Sequence, residues 1–451
     1  MTFKTFVKSL LYISSIFIVF LILSGISYLI IDAIAKKNNI MDVGEYSPVS
    51  TLVVPETPIF KSKFPFIDVH SHHWDMPVKD LSKLVTDMDS LNMGYMINLS
   101  GSGFGVFSGK QKLMDINLSK SLQNVSENYP NRFGVFFNLD LNKIDNPDFK
   151  ENNIRYIEDA VNQGSIGLKI YKNLGLTLRD SRNIRVSVDD DRLSHIWETC
   201  AKFNIPVLIH SGEPKAFFDP VNKYNERWLH AKEKPNSFRP SDKYPSFDQV
   251  MYEQYQLFKK HPKTTFINAH FGWYGNDLEK LSKQLAELTN VYVEFGAVIN
   301  ELGRQPRNAR RFFEDYQDRI LFGKDIYKMN EYYIYFQVLE TDDEYIEYYR
   351  KRHGLWRLYG LNLSDEILKD GSAFGLEGVG FGLTVGTIMN PGIAGTYSSE
   401  GEFFWGGAAS TIFWVDRKNN VTATMMTQFM PSDKYPLREE LKTLLYSSLS
   451  N

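Results

Sequence analysis

From Phe64 onward, short apolar runs alternate with longer amphipathic stretches eight times, and this repeat constrains the chain more than any other feature. The runs are Pro65–His72, Gly94–Ser100, Phe133–Leu141, Gly164–Tyr171, Ile205–Ser211, Thr264–Phe271, Val291–Val298 and Arg319–Tyr327. Helical patterns fill the gaps, for example Ser119–Asn128, Asp189–Phe203, Phe247–His261 and Asp277–Leu288. Strands buried on both faces and joined by helices form parallel sheets. Eight such units between residues 63 and 368 predict an α/β chain with a closed (β/α)8 (TIM) barrel rather than an open sheet.

The N-terminus differs in kind. From Leu10 to Ile31 the chain is almost wholly apolar, interrupted only by Ser14, Ser15, Ser24, Gly25 and Ser27. A helix of that length, at about 1.5 Å per residue, spans a bilayer. It also exceeds the roughly 7–15 apolar residues of a secretory signal core. Residues 1–35 therefore read as a transmembrane anchor, with removal at the small-x-small pattern Ala33-Ile34-Ala35 as the alternative. Lys4 and Lys8 before the span balance Lys36 and Lys37 after it, so charge does not orient it. By default such a leader exports the chain behind it, which puts the remainder outside the cytoplasm. Residues 36–62, polar and bearing Pro48, Pro55 and Pro58, read as a linker. Lys and Arg number 51 against 54 Asp and Glu, which gives no electrostatic footprint for nucleic acid. The single cysteine, Cys200, has no internal disulfide partner, and its helical neighbours Leu193, Ile196 and Trp197 assign it to the core.

Chemistry-bearing residues stand at the ends of the apolar runs. In Ile67-Asp68-Val69-His70-Ser71-His72, alternation puts Asp68, His70 and His72 on one face of a strand. Two imidazoles so spaced can grip one metal ion; His73 faces the other side. His210 ends Pro206-Val207-Leu208-Ile209, His270 ends Phe266-Ile267-Asn268-Ala269, Asp325 closes the eighth run, and Lys169 lies at the end of the fourth. Each follows a doubly buried run, so each emerges at the rim where barrels of this kind carry their active sites. A structural histidine explains any one of these positions, but not four strand ends together. The connection 213–246 leaves the same rim and carries Phe217, Phe218, Arg227, Trp228 and Phe238. Connections beyond about 12–15 residues are usually lids or binding loops. Arg227, Trp228 and Arg304 are thus candidates for lid or substrate contacts; for Arg227, Arg304 and Glu301, ordinary salt bridges near the rim are the plain alternative.

The pattern of His-x-His on the first strand, His on the fifth and sixth and Asp on the eighth resembles the amidohydrolase superfamily. It is most similar to the branch that includes aminocarboxymuconate semialdehyde decarboxylase, resorcylate decarboxylases and lactone-cleaving dicarboxylate hydrolases, over residues 64 to about 368. The resemblance implies a divalent ion, usually zinc, held by His70, His72, His210 and Asp325. It also implies that His270 beside the ion polarises substrate or water, while Asp325 shuttles the proton. Some relatives carry a carbamylated lysine bridging two metals where Lys169 stands, so one ion is implied, or two if Lys169 is carbamylated. An anion-binding lysine for a substrate carboxylate, or a supporting partner, are the plain readings. The expectation is a metal-dependent hydrolase whose activated water attacks a small, carboxylated or cyclic substrate such as a lactone, amide or ester. Non-hydrolytic decarboxylation is the enzymatic alternative, and a silent anchored barrel acting as a binding or scaffold protein is the other. The expected partners are a small-molecule substrate and a membrane, with homo-oligomerisation open.

Beyond Leu368 the composition shifts to glycine, with Gly371, Gly375, Gly378, Gly380, Gly382, Gly386, Gly406 and Gly407. Strand patterns at Ser410–Val415 and Val421–Gln428 and a helical one at Leu437–Leu449 predict antiparallel hairpins with a terminal helix. The runs Gly380-Phe381-Gly382-Leu383, Phe404-Trp405-Gly406-Gly407 and Phe413-Trp414-Val415-Asp416 resemble the C-terminal end of serine β-lactamase-type esterases. That family's Ser-x-x-Lys nucleophile motif is absent from residues 371–451. The segment is expected to be a truncated, inert appendage packed weakly on the barrel, standing in place of a last barrel helix after Asp365-Glu366-Ile367-Leu368.

Overall fold

The structure, a computed structural model, describes residues 3–38, 41, 45–46, 48–348, 356–371, 379–382, 385–388, 397–399, 401–406, 412–427 and 437–449. It divides into two units, residues 1–51 and 52–451. In the first, Phe3–Asn38 forms one helix, α1. Its segment Leu11–Ile34 has a mean hydropathy of 2.4 and no buried residues, and among the described residues it is the one helix long and apolar enough to cross a membrane. The serines do not interrupt it. Ser14 and Ser15 donate their hydroxyls to the Leu11 carbonyl at 3.2 and 2.8 Å, which satisfies them within the helix.

In the second unit eight strands pair in parallel in sequence order. They are β1 (Phe66–Ser71), β2 (Met93–Asn98), β3 (Phe133–Phe137), β4 (Gly167–Ile170), β5 (Val207–Ile209), β6 (Phe266–Asn268), β7 (Val291–Glu294) and β8 (Ile320–Leu321). The ring closes between its ends. The Val69 N–H donates to the Phe322 carbonyl at 2.9 Å, the Asp325 N–H donates to the His70 carbonyl at 2.7 Å, and Ser71 bridges Asp325 in parallel. Every predicted run coincides with a strand, β2 starting one residue early at Met93, and each strand is shorter than its run, with β4, β5 and β6 trimmed at both ends. Ile67, Val69, Ile97, Leu99, Phe136, Leu208, Ile267 and Leu321 fill the interior. Phe136 fits only because residue 167 is glycine: a Cβ there would stand 2.4 Å from its ring.

Around the strands lie α2 (Leu81–Leu91), α3 (Gln111–Asn128), α4 (Phe149–Asn162), α5 (Ser194–Lys202), α6 (Phe247–Lys260), α7 (Leu278–Glu287), α8 (Pro306–Tyr316) and α9 (Met329–Glu340). Their starts follow from sequence. Asp80, Ser246 and Asp277 cap α2, α6 and α7 by accepting backbone N–H groups, and proline opens α8. The helix α9 corrects one expectation. The barrel does not lack its last helix, because Tyr332, Tyr335, Phe336, Val338 and Leu339 of α9 are buried in the layer between strands and helices. Its aromatic-rich stretch favours strand by local preference, and packing overrides that preference. A further short helix, α10 (Asp365–Gly371), adds Ile367 and Leu368 to the same core.

A short antiparallel pair, β9 (Ile346–Glu347) and β10 (Arg357–Leu358), precedes the tail. The tail itself is a five-stranded antiparallel sheet in sequence order, β11 (Val379–Gly382), β12 (Val385–Ile388), β13 (Phe403–Gly406), β14 (Ile412–Asp416) and β15 (Val421–Met425), with a final helix α11 (Leu437–Leu449). Ile412, Trp414 and Tyr446 form a small core separate from the barrel's. Beneath it the buried Glu402 pairs with Lys442, and Tyr446 lies 2.6 Å from Glu402 and 2.7 Å from Asp416. The predicted hairpin and terminal helix are thus present; Ser410, Gln428, Gly375, Gly378 and Gly407 lie outside the described residues.

Candidate metal centre

At the C-terminal rim of the barrel, three donor atoms from opposite ends of the sequence converge. His70 Nε2 lies 3.3 Å from His72 Nε2, and Asp325 Oδ1 lies 3.5 and 3.6 Å from the two. Their hydrogen bonds elsewhere fix what faces inward. His70 Nδ1 donates to Glu294 at 2.8 Å, so its Nε2 carries the lone pair. His72 Nδ1 lies 2.7 Å from Ser100 Oγ, which is 3.1 Å from the Tyr171 hydroxyl, and that hydroxyl donates to the Leu99 carbonyl at 3.2 Å. With every proton in that chain pointing outward, His72 Nε2 also presents a lone pair. Three electron-pair donors with no hydrogen among them repel unless a cation joins them. A tetrahedral ion with bonds of about 2.0–2.1 Å sets its donors roughly 3.3–3.4 Å apart, close to the spacing observed. The residues present fit a divalent metal.

Burial tunes the same groups. It drives His70 well below its usual pKa and His72 down to about 3, which keeps both imidazoles neutral and able to ligate. Burial alone would raise Asp325, but His70, His270, His72 and Lys169 hold it down at about 2, as a carboxylate. The side chain of His70 is sealed, whereas 15% of His72 and 25% of Asp325 stay open, leaving an approach for substrate.

Glu294, at the end of β7, is a residue that strand-end reasoning missed. It is fully buried and accepts from His70 Nδ1, from the His270 N–H at 2.7 Å and from the Gly296 N–H at 2.6 Å. It is 3.7 Å from His270 Nδ1 as well. We read the His70–His270–Glu294 trio as an orienting network rather than a second cage, because His70 Nδ1 carries a proton there. Residue 323 must be glycine for this carboxylate to fit: a Cβ would stand 2.3 Å from Glu294 Oε2.

The sixth strand presents His270 on an unusual turn. His270, Phe271, Gly272 and Trp273 all adopt positive φ, between 54° and 61°, and Asp325 stands at 81°. Such backbone costs on the order of 1–3 kcal/mol per non-glycine residue and concentrates at functional sites. His270 Nδ1 donates to the Gly296 carbonyl at 2.6 Å, which turns its Nε2 lone pair toward His210 Nδ1 at 3.3 Å. His210 does not belong to the three-donor cluster. It pairs with His270, whose ring lies 4.9 Å from that of His70, and its own Nε2 is buried without a hydrogen-bond partner. Burial, then His270, Lys172, Lys169 and His70, push His210 well below its usual value. The rings of His72, His70, His270 and His210 thus form one continuous line, with Trp273 packed on the last two.

Lys169 is buried at 1% exposure, and its Nζ has no hydrogen-bond partner. Burial lowers it to about 8, opposed by Glu294 and Asp325. Asp68, by contrast, is not at the rim. Alternation predicted that it shares the face of His70, but a register shift in β1 turns it to α9, where the Tyr332 hydroxyl donates to it at 2.6 Å. Burial raises it to about 7 despite that bond and those from the His70 and Lys324 N–H groups. Both arginines among the lid candidates are engaged in salt bridges. Arg227 forms a buried pair with Glu301, and Arg304 reaches back to Glu226 of the loop at 3.1 Å while lying 3.6 Å from the Trp356 ring centroid. Trp228, half-buried, opens the helical turn Trp228–Glu233.

Among solved structures, the chain is similar to a dihydroxybenzoic acid decarboxylase from Polaromonas sp. JS666 with bound manganese and 2-nitroresorcinol, at 14% identity over 60% of this chain and 90% of that one, with a TM-score of 0.41. It is also similar to 4-oxalomesaconate hydratase from Rhodopseudomonas palustris, at 12% identity over 69% and 94%, with a TM-score of 0.41. No curated protein matches it. The sequence profile of one family, described as amidohydrolase, matches residues 67–370 and stops before the antiparallel tail, so the esterase likeness of that tail gains no support. A match over more than half the chain, holding every strand of the barrel and all the rim histidines, makes this protein a member of the amidohydrolase family of metal-dependent enzymes.

Proposed function

We propose that the chain is a hydrolase that uses water activated by one divalent ion, zinc by the character of its donors, on a small carboxylated or cyclic substrate. The observation that carries this reading is the convergence of His70, His72 and Asp325 as lone-pair donors within 3.3–3.6 Å. His210, outside the three-donor cluster but with an unpartnered buried nitrogen, would have to turn toward the ion to be the fourth ligand in this account. Neutral imidazoles with one carboxylate suit zinc and leave net positive charge at the centre. When bound, such an ion lowers the pKa of a coordinated water to roughly 7 and polarises a carbonyl. Asp325, ionised and partly open, takes the proton from the attacking water at its carboxylate and returns it to the leaving group. His270, its Nδ1–H fixed on Gly296 and its Nε2 engaged by His210, would turn that Nε2 to water or substrate if His210 moved to ligate the ion. Lys169 supplies an unpaired ammonium for a substrate carboxylate, and Arg227, Trp228 and Arg304 act in the lid that covers it.

Hydrolysis is tested by turning over lactone, amide and aryl-carboxylate panels in isotopically labelled water with metal-stripped and reloaded protein. Label in the product that appears only after reloading is the expected result. Carbon dioxide release without label would instead establish decarboxylation. The apolar helix supports a single-pass anchor, and the barrel is placed outside the cytoplasm because such a leader by default exports the chain behind it. A C-terminal reporter that works only outside the cytoplasm should therefore be active, and a silent one would reverse the topology.

A further inference from the structure

The proposed reaction leaves one feature of the rim unused: a cleft of about 550 Å³ that begins at His72 and runs out past α2. Its apolar lining is rooted in the strand ends that carry the candidate ligands. Trp74, two residues after His72, stacks on that imidazole at 5.7 Å and 9°, and Phe104 stacks on Trp74 at 4.6 Å and 14°. Ile326, next to Asp325, lines the same cleft with Tyr327 and Leu84. Phe104 is 63% exposed and Ile326 50%. Phe104 follows Gly103, whose φ is +62° and whose Cβ would stand 2.4 Å from the Asn117 amide, so a glycine-specific turn holds a phenylalanine in water. Loop packing alone accounts for the stacking but not for that exposure. The charged residues of the lining are already satisfied: Lys79 pairs with Asp75, Lys83 with Asp87, and Asp80 caps α2. Both lysines of the lining have carboxylate partners, so no unpaired cation is left there to select an anionic group.

We infer that this cleft is a subsite for an uncharged hydrocarbon arm of the substrate, acyl or aryl, whose reacting carbonyl lies at the His70–His72–Asp325 cluster. The inference rests on reading that cluster as a metal centre. The test uses full-length, zinc-loaded protein in lipid nanodiscs, titrated calorimetrically with straight-chain hydroxamic acids of two, four and six carbons, against empty nanodiscs as blank. The hydroxamate anchors on the metal and the chain reports the cleft. Affinity should rise about 2–4-fold per added methylene, as burial of hydrocarbon predicts. Phe104→Ser, at a solvent-exposed position, should abolish that rise while leaving acetohydroxamate binding unchanged. Equal affinities across the series, or an undiminished rise in Phe104→Ser, would overturn the subsite alone. Failure of all three to bind would overturn the metal reading and the subsite with it.

Discussion

Glu294 decides how the candidate centre is oriented, because one carboxylate fixes the His70 tautomer and anchors the His270 backbone. Replacing it with glutamine keeps the shape and removes the charge. Metal affinity should then fall about 10–100-fold, as for other groups that orient a ligand; unchanged affinity in a chelator competition would contradict this. The residue was hidden because the apolar run continues through Phe295, Ala297 and Val298, which carries a sequence reading of the strand past it. The backbone turns off the strand there, with Ala297 at positive φ. His70, His72 and Asp325 were legible, since each marks the point where burial on both faces ends. Lys169 was legible as a position but not as a role. Its unpartnered ammonium predicts that Lys169→Met lowers kcat/KM for carboxylated substrates about 10–100-fold, the worth of a hydrogen bond to a charged group. A halved metal content in that variant would point to a bridging carbamate instead. Cys200 follows its sequence reading: fully buried, with its thiol pushed up by burial, it should resist thiol reagents until the protein unfolds.

Among the elements, the eight strands were the most legible, because a run buried on both faces leaves few choices. The aromatic-rich α9 was the least, since its residues favour strand until a core holds them in a helix. The long β5–α6 connection is neither disordered nor free. Phe217, Ala231 and Phe238 give it a core of its own, and two crossed pairs, Arg227–Glu301 and Arg304–Glu226, tie it to the segment after β7. The first pair is buried and the second partly exposed. Removing one partner of a buried pair costs about 3–5 kcal/mol, whereas an exposed pair is worth roughly 0–1 kcal/mol. Glu301→Gln should therefore speed limited proteolysis within residues 213–246 markedly, and Glu226→Gln should change it little. Equal cleavage rates in the two variants would contradict the latch.

Across the whole molecule, one family barrel is joined to an apolar helix and to a small sheet with its own core, and each answers to different physics. Acid should loosen the barrel through histidines away from the metal centre. Burial, with Lys150 adding to it, lowers His195; burial, opposed by Glu198, lowers His261. Both sit below their unfolded value of about 6.5, so the unfolded chain takes up protons first. The stability they contribute is complete above that pH and is lost as pH falls through their lowered values. Urea midpoints should decline on acidification from neutrality, and less steeply in His195→Gln/His261→Gln; identical slopes would contradict the assignment. The central claim is that residues some 250 positions apart hold one cation, and elemental analysis of purified full-length protein tests it most directly. The account predicts one divalent ion per chain in the wild type and none in folded His70→Ala/His72→Ala. Wild-type protein that turns over substrate fully while metal-free would contradict it.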